Sequence, residues 1–298
     1  MKKSVSKSRK EKRGQIILNS VFCVFVLAYL VPFLMVIAVS FTDENSLYQM
    51  GYKLIPREVT LLAYEMIFKR PTQMLQAYGT TIFFTVVSTI LATLTMALLA
   101  YPLSRPNFLW KRQLNFLVYF TMLFSGGLVP TYMLICNVLH INNTMLVYIL
   151  PSLVSAYYVI IIRTNYRAIP DELIQAAQID GAKEMYICFR IIMPLSKPAL
   201  ASIAFLFFVA KWNDWMTSML YVRKPELYSL QYLLQRLLSE VEFLRNAAVL
   251  GALDAGVTPP SETLRFAMAL VAAGPVLIVF PFFQKYFTKG LTLGGVKG

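Results

Sequence analysis

Charge is scarce in this chain. Asp, Glu, Lys and Arg make up 14% of 298 residues, hydrophobic types 57%, and mean hydropathy is +0.59. A soluble domain carries about 25% charged residues, so the composition is that of a membrane protein. Histidine is nearly missing: the single one, His140, falls at a short turn between apolar runs, and one imidazole does not build a metal site. Cysteine is also sparse. Cys23, Cys136 and Cys188 are odd in number and two lie in apolar segments, so no disulfide framework is implied. A phosphate loop is lacking, because no segment reads GxxxxGKS/T. The nearest candidate, Gly290–Gly298, displaces the Lys and leaves no helix to present a dipole. The chain therefore has no ATP-binding motif of its own. The acids, 15 in all, are scattered among loops without paired geometry, which leaves no catalytic constellation and no catalytic residue to name.

What is present is a series of apolar runs. Residues 1–13 hold seven Lys or Arg and one acid, and Ile16 to Phe41 is almost wholly apolar. That run is about twice the h-region of a signal peptide and long enough to span, at roughly 20 residues per crossing. Five more spans follow at about Thr80–Tyr101, Leu114–Cys136, Thr144–Ile162, Ala199–Val222 and Phe266–Phe287. The expected fold is an all-α membrane protein of six transmembrane helices, with both termini on one side. Cytoplasmic termini put about twice as many Lys or Arg inside as the eight outside, as the positive-inside rule requires. The net charge of +13 is thereby assigned to membrane topology and a lipid-facing basic tail, not to nucleic acid. The division expected is a basic cytoplasmic tail (1–15), a transmembrane domain (16–287) and a cytoplasmic C-terminal tail (288–298). Within the domain lie a cytoplasmic loop (164–197) and an extracellular loop (223–263). In the outer loop, Leu230, Leu233, Leu234, Leu237, Leu238 and Val241 recur at helical spacing and predict an amphipathic helix on the membrane or on a partner chain.

Polar groups inside the spans mark candidate sites. Ser125, Gly126, Gly127 and Pro130 interrupt the third span, either for packing or for local unwinding beside protein or a water-filled cavity. Pro151, Pro275 and Pro281 read as kinks. The fifth span carries Lys211, Trp212, Asn213, Asp214 and Trp215. A Lys or Asp at a helix centre costs on the order of 2.5–3.5 kcal/mol, so both need partners. Two readings stay open. Lys211 and Asp214 form a structural ion pair, or the segment lines a solute pathway, with the Trp faces against sugar C–H groups and Asn and Asp against hydroxyls.

The cytoplasmic loop has its own punctuation. Pro170 can open a helix, Asp171 and Glu172 complement its dipole, Gly181 supplies a left-handed stop, and Ala182 to Met193 reads as a second short helix before Pro194. This helix–bend–helix, pinned at both ends by membrane segments, has the form of a lever. Its residues Gln175-Ala176-Ala177, Gly181, Ile191 and Met193-Pro194 keep the spacing EAA-x3-G-x9-I-x-L-P, with Gln175 in place of Glu and Met193 in place of Leu. The chain thereby resembles the permeases of ABC importers, and its ending, Gly290-Leu-Thr-Leu-Gly-Gly-Val-Lys-Gly298, is similar to the tail of the carbohydrate-type members.

That resemblance implies a type I ABC importer permease fold and a subunit of an ATP-driven importer in the cell membrane. The solute implied is a sugar, an oligosaccharide or polysaccharide fragment. The implied partners are a homologous second permease, two copies of an ABC ATPase, an extracellular solute-binding protein and the lipid bilayer, with no nucleic acid. No cofactor is implied in this chain; ATP-Mg would sit on the ATPases. The loop would dock on an ATPase through Glu172, Gln175, Ala176, Ala177, Asp180, Gly181 and Pro194. Gln175 can only hydrogen-bond where the family's Glu pairs with a base, and Glu172 is placed to replace it. Gly295 and Lys297 of the tail would reach between the ATPases. Two other classes fit part of the sequence: an ion-gradient-driven secondary transporter using Asp214, and a non-transporting component that recruits a soluble partner.

Overall fold

The computed structural model describes residues 9–249 and 261–293. Gly295 and Lys297 lie outside the described residues, as does most of the second half of the long outer loop. Among the described residues the elements are helical, and the β contact is an isolated bridge between Thr42 and Val59. In order they are α1 (Arg9–Ser40), α2 (Glu44–Met50), α3 (Leu62–Ile67), α4 (Pro71–Ser104), α5 (Lys111–Leu123), α6 (Leu128–Val138), α7 (Leu146–Ser152) and α8 (Ala156–Arg167). Then come α9 (Asp171–Ile179), α10 (Glu184–Leu195), α11 (Lys197–Trp212), α12 (Met216–Tyr221), α13 (Leu230–Val249) and α14 (Glu262–Leu293).

Three of these, α1, α4 and α14, contain apolar stretches long enough to cross a bilayer. Three more apolar pairs are bent: α5 with α6 by 112°, α7 with α8 by 49°, and α10 with α11 by 78°. The third expected span is thus two helices. Phe124 to Gly127 unwinds and Gly127 turns at φ 84°, a region that favours glycine. The fourth is broken just after Pro151, whereas Pro275 and Pro281 sit inside the continuous α14. Of the third pair, α10 is the second arm of the lever. The fifth apolar segment is α11, which continues past a three-residue break into α12.

The chain forms two compact units. In the one built from residues up to Lys69 with Leu237–Val271, α1 turns apolar side chains outward on all sides from Ile17 to Leu34, as at Phe22 and Tyr29, and its end is buried around Val39 and Ser40. Here Glu44 caps the start of α14. Its carboxylate accepts from the backbone N–H groups of Ser261 (3.1 Å), Glu262 (3.0 Å) and Thr263 (2.9 Å) and from the Thr263 hydroxyl (2.9 Å). Burial pushes this carboxyl up, but the hydrogen bonds outweigh it and hold Glu44 below its ordinary 4.5.

In the other unit, Arg70–Arg236 with the residues from Ala272, α4 is the central post and packs along α8 and α11. One face of α4 is closed to solvent at Phe84, Ala92, Met96, Ala97, Ala100 and Leu103. The alanines let neighbouring backbones approach, the usual means of packing helices in lipid. Phe84 stacks on Tyr148 with centroids 4.3 Å apart. The amphipathic periodicity predicted around Tyr228–Leu244 is present as α13, in which Leu230, Leu234 and Val241 are buried within this chain while Leu233, Leu237 and Leu238 are half-buried.

Candidate functional site

The lever forms as its residues dictate. Pro170 lies one position before the first helical residue, at ψ 131°, so it enters the helix from extended backbone instead of occupying its first turn. α9 closes with Asp180 N–H on the Ala176 carbonyl (3.1 Å) and Ala182 N–H on the Ala177 carbonyl (2.9 Å), and Gly181 takes φ 78°. The second arm starts at Glu184, two residues later than expected, and passes through a π-helical stretch at Ile187–Ile192. Ile174, Ile187, Cys188 and Ile192 bury the inner face in the same core as Ala97, Ala100 and Tyr101.

The outer face is bare. Glu172, Gln175, Ala176, Asp180 and Gly181 are exposed and contiguous along α9 and its bend, while Ala177 is half-buried. Pro194 is also half-buried, at the far end of α10. Apolar side chains share the exposure: Ile179 is 86% accessible beside Asp180, and Met185 and Tyr186 follow on α10. Gln175 also lines a cavity of about 600 Å³ with Tyr101, Arg105, Asp171 and Glu184.

The polar break of the fifth apolar segment is organised differently. Asp214 is consumed locally: Oδ2 meets Lys211 Nζ (3.3 Å) and the Thr217 hydroxyl (2.7 Å), and Oδ1 accepts from Thr217 N–H (3.0 Å), capping α12. Lys211 also donates to the Tyr148 carbonyl (3.2 Å). Trp212 is 2% exposed and donates to the Ala272 carbonyl (2.9 Å), so it is core and not lining. Asn213 and Trp215 remain accessible. The Asn213 amide donates to the Val209 carbonyl (2.8 Å) and accepts from Gln231 of α13 (3.3 Å). Ser125, Gly126 and Gly127 are exposed at their own break, where Gly127 N–H meets Ser125 Oγ (3.2 Å).

Several functional-looking partners were not foreseen from the residues alone. Tyr148 is fully buried, and its hydroxyl bridges Ser218 (2.5 Å) and the Leu227 carbonyl (2.8 Å). Ser229 then links Ser218 to the Asp214 carbonyl (2.9 Å each). A Tyr and two Ser in apolar surroundings hint at such a network, but nothing local reveals who pairs with whom.

Comparison with known proteins identifies the relatives of this chain. Residues 87–293 match the family of binding-protein-dependent transport system inner membrane components, and the chain belongs to that family. It is similar to the polygalacturonan/rhamnogalacturonan transport system permease protein YtcP of Bacillus subtilis, 34% identical over 289 residues that cover 97% of this chain and 100% of the relative. LplC of the same organism is 37% identical over 270 residues, 90% of each chain. Among solved structures, a chain of a bacterial ABC transporter involved in the import of the acidic polysaccharide alginate superposes with a TM-score of 0.74 at 26% identity, covering 95% of this chain and 100% of that one.

Proposed function

We propose that this chain is the permease subunit of an ATP-driven importer of oligosaccharides or polysaccharide fragments, driven through the lever at Asp171–Leu195. The observation that carries the coupling role is the lever's bare outer face, where Ile179, 86% exposed, sits among Gln175, Asp180 and Gly181 at the family's motif spacing. An amphipathic surface on a rigid bend suits a protein partner better than water or lipid. The carbohydrate class is supported by the relatives, whose names give polygalacturonan/rhamnogalacturonan and arabinooligosaccharides, and by the alginate importer.

In this reading both termini are cytoplasmic and the lever docks on an ABC ATPase through Glu172, Gln175, Ala176, Ala177, Asp180 and Gly181. Two ATPase copies hold ATP-Mg, a second homologous permease completes the pathway, and a binding protein delivers the sugar from outside. ATP closes the ATPases, the lever swings the attached helices and the cavity opens outward; hydrolysis returns it. Asn213 and Trp215 are the side chains of the fifth segment assigned to the sugar. Asp214 and Trp212 hold the segment's shape, an arrangement that disfavours an ion-coupled carrier using Asp214.

A mild-detergent pull-down of the tagged chain, with mass spectrometry, tests the assembly. Recovery of a second permease and a Walker-type ATPase, lost when residues 175–181 are scrambled, is expected. Recovery of the chain alone, with the lever dispensable, contradicts the reading.

A further inference from the structure

The foot of α4 grips both arms of the lever. On the second arm, the Tyr101 hydroxyl donates to Glu184 Oε2 (2.5 Å), while Glu184 Oε1 accepts from Gln178 of the first arm (3.1 Å). One carboxylate thus joins α4, α9 and α10. Four residues on, Arg105 is buried and reaches the other end of α9. Its Nη1 lies 3.8 Å from Asp171 Oδ1, an ion-pair contact beyond hydrogen-bond range, its Nη2 donates to the Tyr166 carbonyl at the end of α8 (3.3 Å), and its guanidinium stands over the Tyr101 ring.

The apolar core beneath the lever does not supply this fixation. Burial of Ile174, Ile187 and Ile192 is non-directional, so it holds the arms down without setting their rotation. Between the arms and α4 lies the cavity of about 600 Å³, where Tyr101, Arg105, Asp171 and Glu184 stand beside apolar side chains such as Leu98 and Met185. The peptide link from α10 to α11 bends by 78° at Ser196, between Pro194 and Pro198, which makes the covalent route a poor transmitter of torque.

We propose that Tyr101 and Arg105 are positioning residues that clasp both arms of the lever to α4, so that lever and α4 move as one body and the stroke enters the bundle through the second span. This rests on the coupling role of the lever proposed above. The clasp is a property of this chain's own geometry and is tested separately.

The test uses the whole importer in proteoliposomes, with spin labels at Asn107→Cys and Lys183→Cys. Both positions are exposed, one beyond the foot of α4 and one on the lever. Cys23 and Cys136 are replaced by Ser, and Cys188 stays unlabelled because it is 1% exposed and burial pushes its thiol above the ordinary 9.0. The expected distance distribution is narrow and the same with and without ATP. Tyr101→Phe keeps the ring and removes only the hydroxyl, and should raise the population at other distances about three- to ten-fold, the scale of one lost hydrogen bond; Glu184→Ala also loses the Gln178 contact and should raise it further. The double variant should be no broader than the wider single one, and Glu184→Gln should restore most of the narrow peak. A distance that shifts with ATP in the unaltered lever, or variants that leave the distribution untouched, overturns the clasp. Binding-protein-stimulated ATP hydrolysis that survives Gly181→Pro overturns the lever reading instead.

Discussion

Two polar interruptions of an otherwise apolar chain, the lever at Asp171–Leu195 and the break at Lys211–Trp215, handle their polarity in opposite ways. In the break the charges are spent inward: Asp214 caps α12 and pairs with Lys211, which also reaches the Tyr148 carbonyl. In the lever, Gln175, Asp180 and Ile179 are left outside with the inner face buried. Polar residues in membrane segments are costly unless satisfied, so satisfaction within the chain marks architecture, and a mixed surface left open marks a place for a partner. Of the five residues from Lys211 to Trp215, only Asn213 and Trp215 remain open to solvent.

Substitutions sharpen this contrast. The largest effect belongs to Gly181→Pro. Proline fixes φ near −65° where the bend needs 78°, so sugar uptake should fall to background while the protein still inserts. Gly181→Ala meets no neighbouring atom within 4 Å and should cost only about 1–2 kcal/mol of local strain, with most uptake retained. Next, Asp214→Ala leaves Lys211 without its acid and α12 without its cap. Leaving the half-buried Lys211 without its acid should cost about 3 kcal/mol, visible as a lower melting temperature in detergent. If Asp214→Asn instead abolished uptake without lowering stability, the break would be a functional ion site and the contrast would fail.

A smaller effect is expected at Glu44→Ala, which removes the cap of α14 and should cost about 2 kcal/mol. Because the folded-state pKa of Glu44 is depressed, its contribution is complete above 4.5 and is lost as pH falls through the lowered value. The stability gap between Glu44→Gln and the unaltered protein should therefore close on acidification, and a gap independent of pH would contradict the capping role. Smallest in stability is Trp215→Ala, within about 0.5 kcal/mol because the ring is 39% exposed. Its effect should appear in the KM for sugar.

The lever was legible because its signals are local: acids in the first turn, a glycine at the bend, proline at either end. The apolar runs were legible for the same reason, since period and length are written along the chain. Long-range pairing was not. The acid that caps α14 lies 217 residues before Ser261, and no local pattern links the two. Nor did Ser125-Gly126-Gly127 reveal a 112° bend, because glycine permits an unwound turn and a close helix contact equally. In the fifth segment, polarity required Lys211 and Asp214 to find partners, and their spacing offered each other. Thr217, Tyr148 and Ser229 complete the account only in three dimensions.

The central claim is that ATP, transmitted through the lever, drives sugar across this subunit. The most direct measurement is uptake of labelled oligogalacturonides, with labelled arabino-oligosaccharides in parallel, into proteoliposomes carrying the complete complex and its binding protein. ATP on the lever side is compared with an imposed proton or sodium gradient. Uptake that requires ATP, ignores the gradients and disappears in Gly181→Pro is the predicted result. Uptake that follows a gradient without ATP and is lost on Asp214→Asn would contradict it.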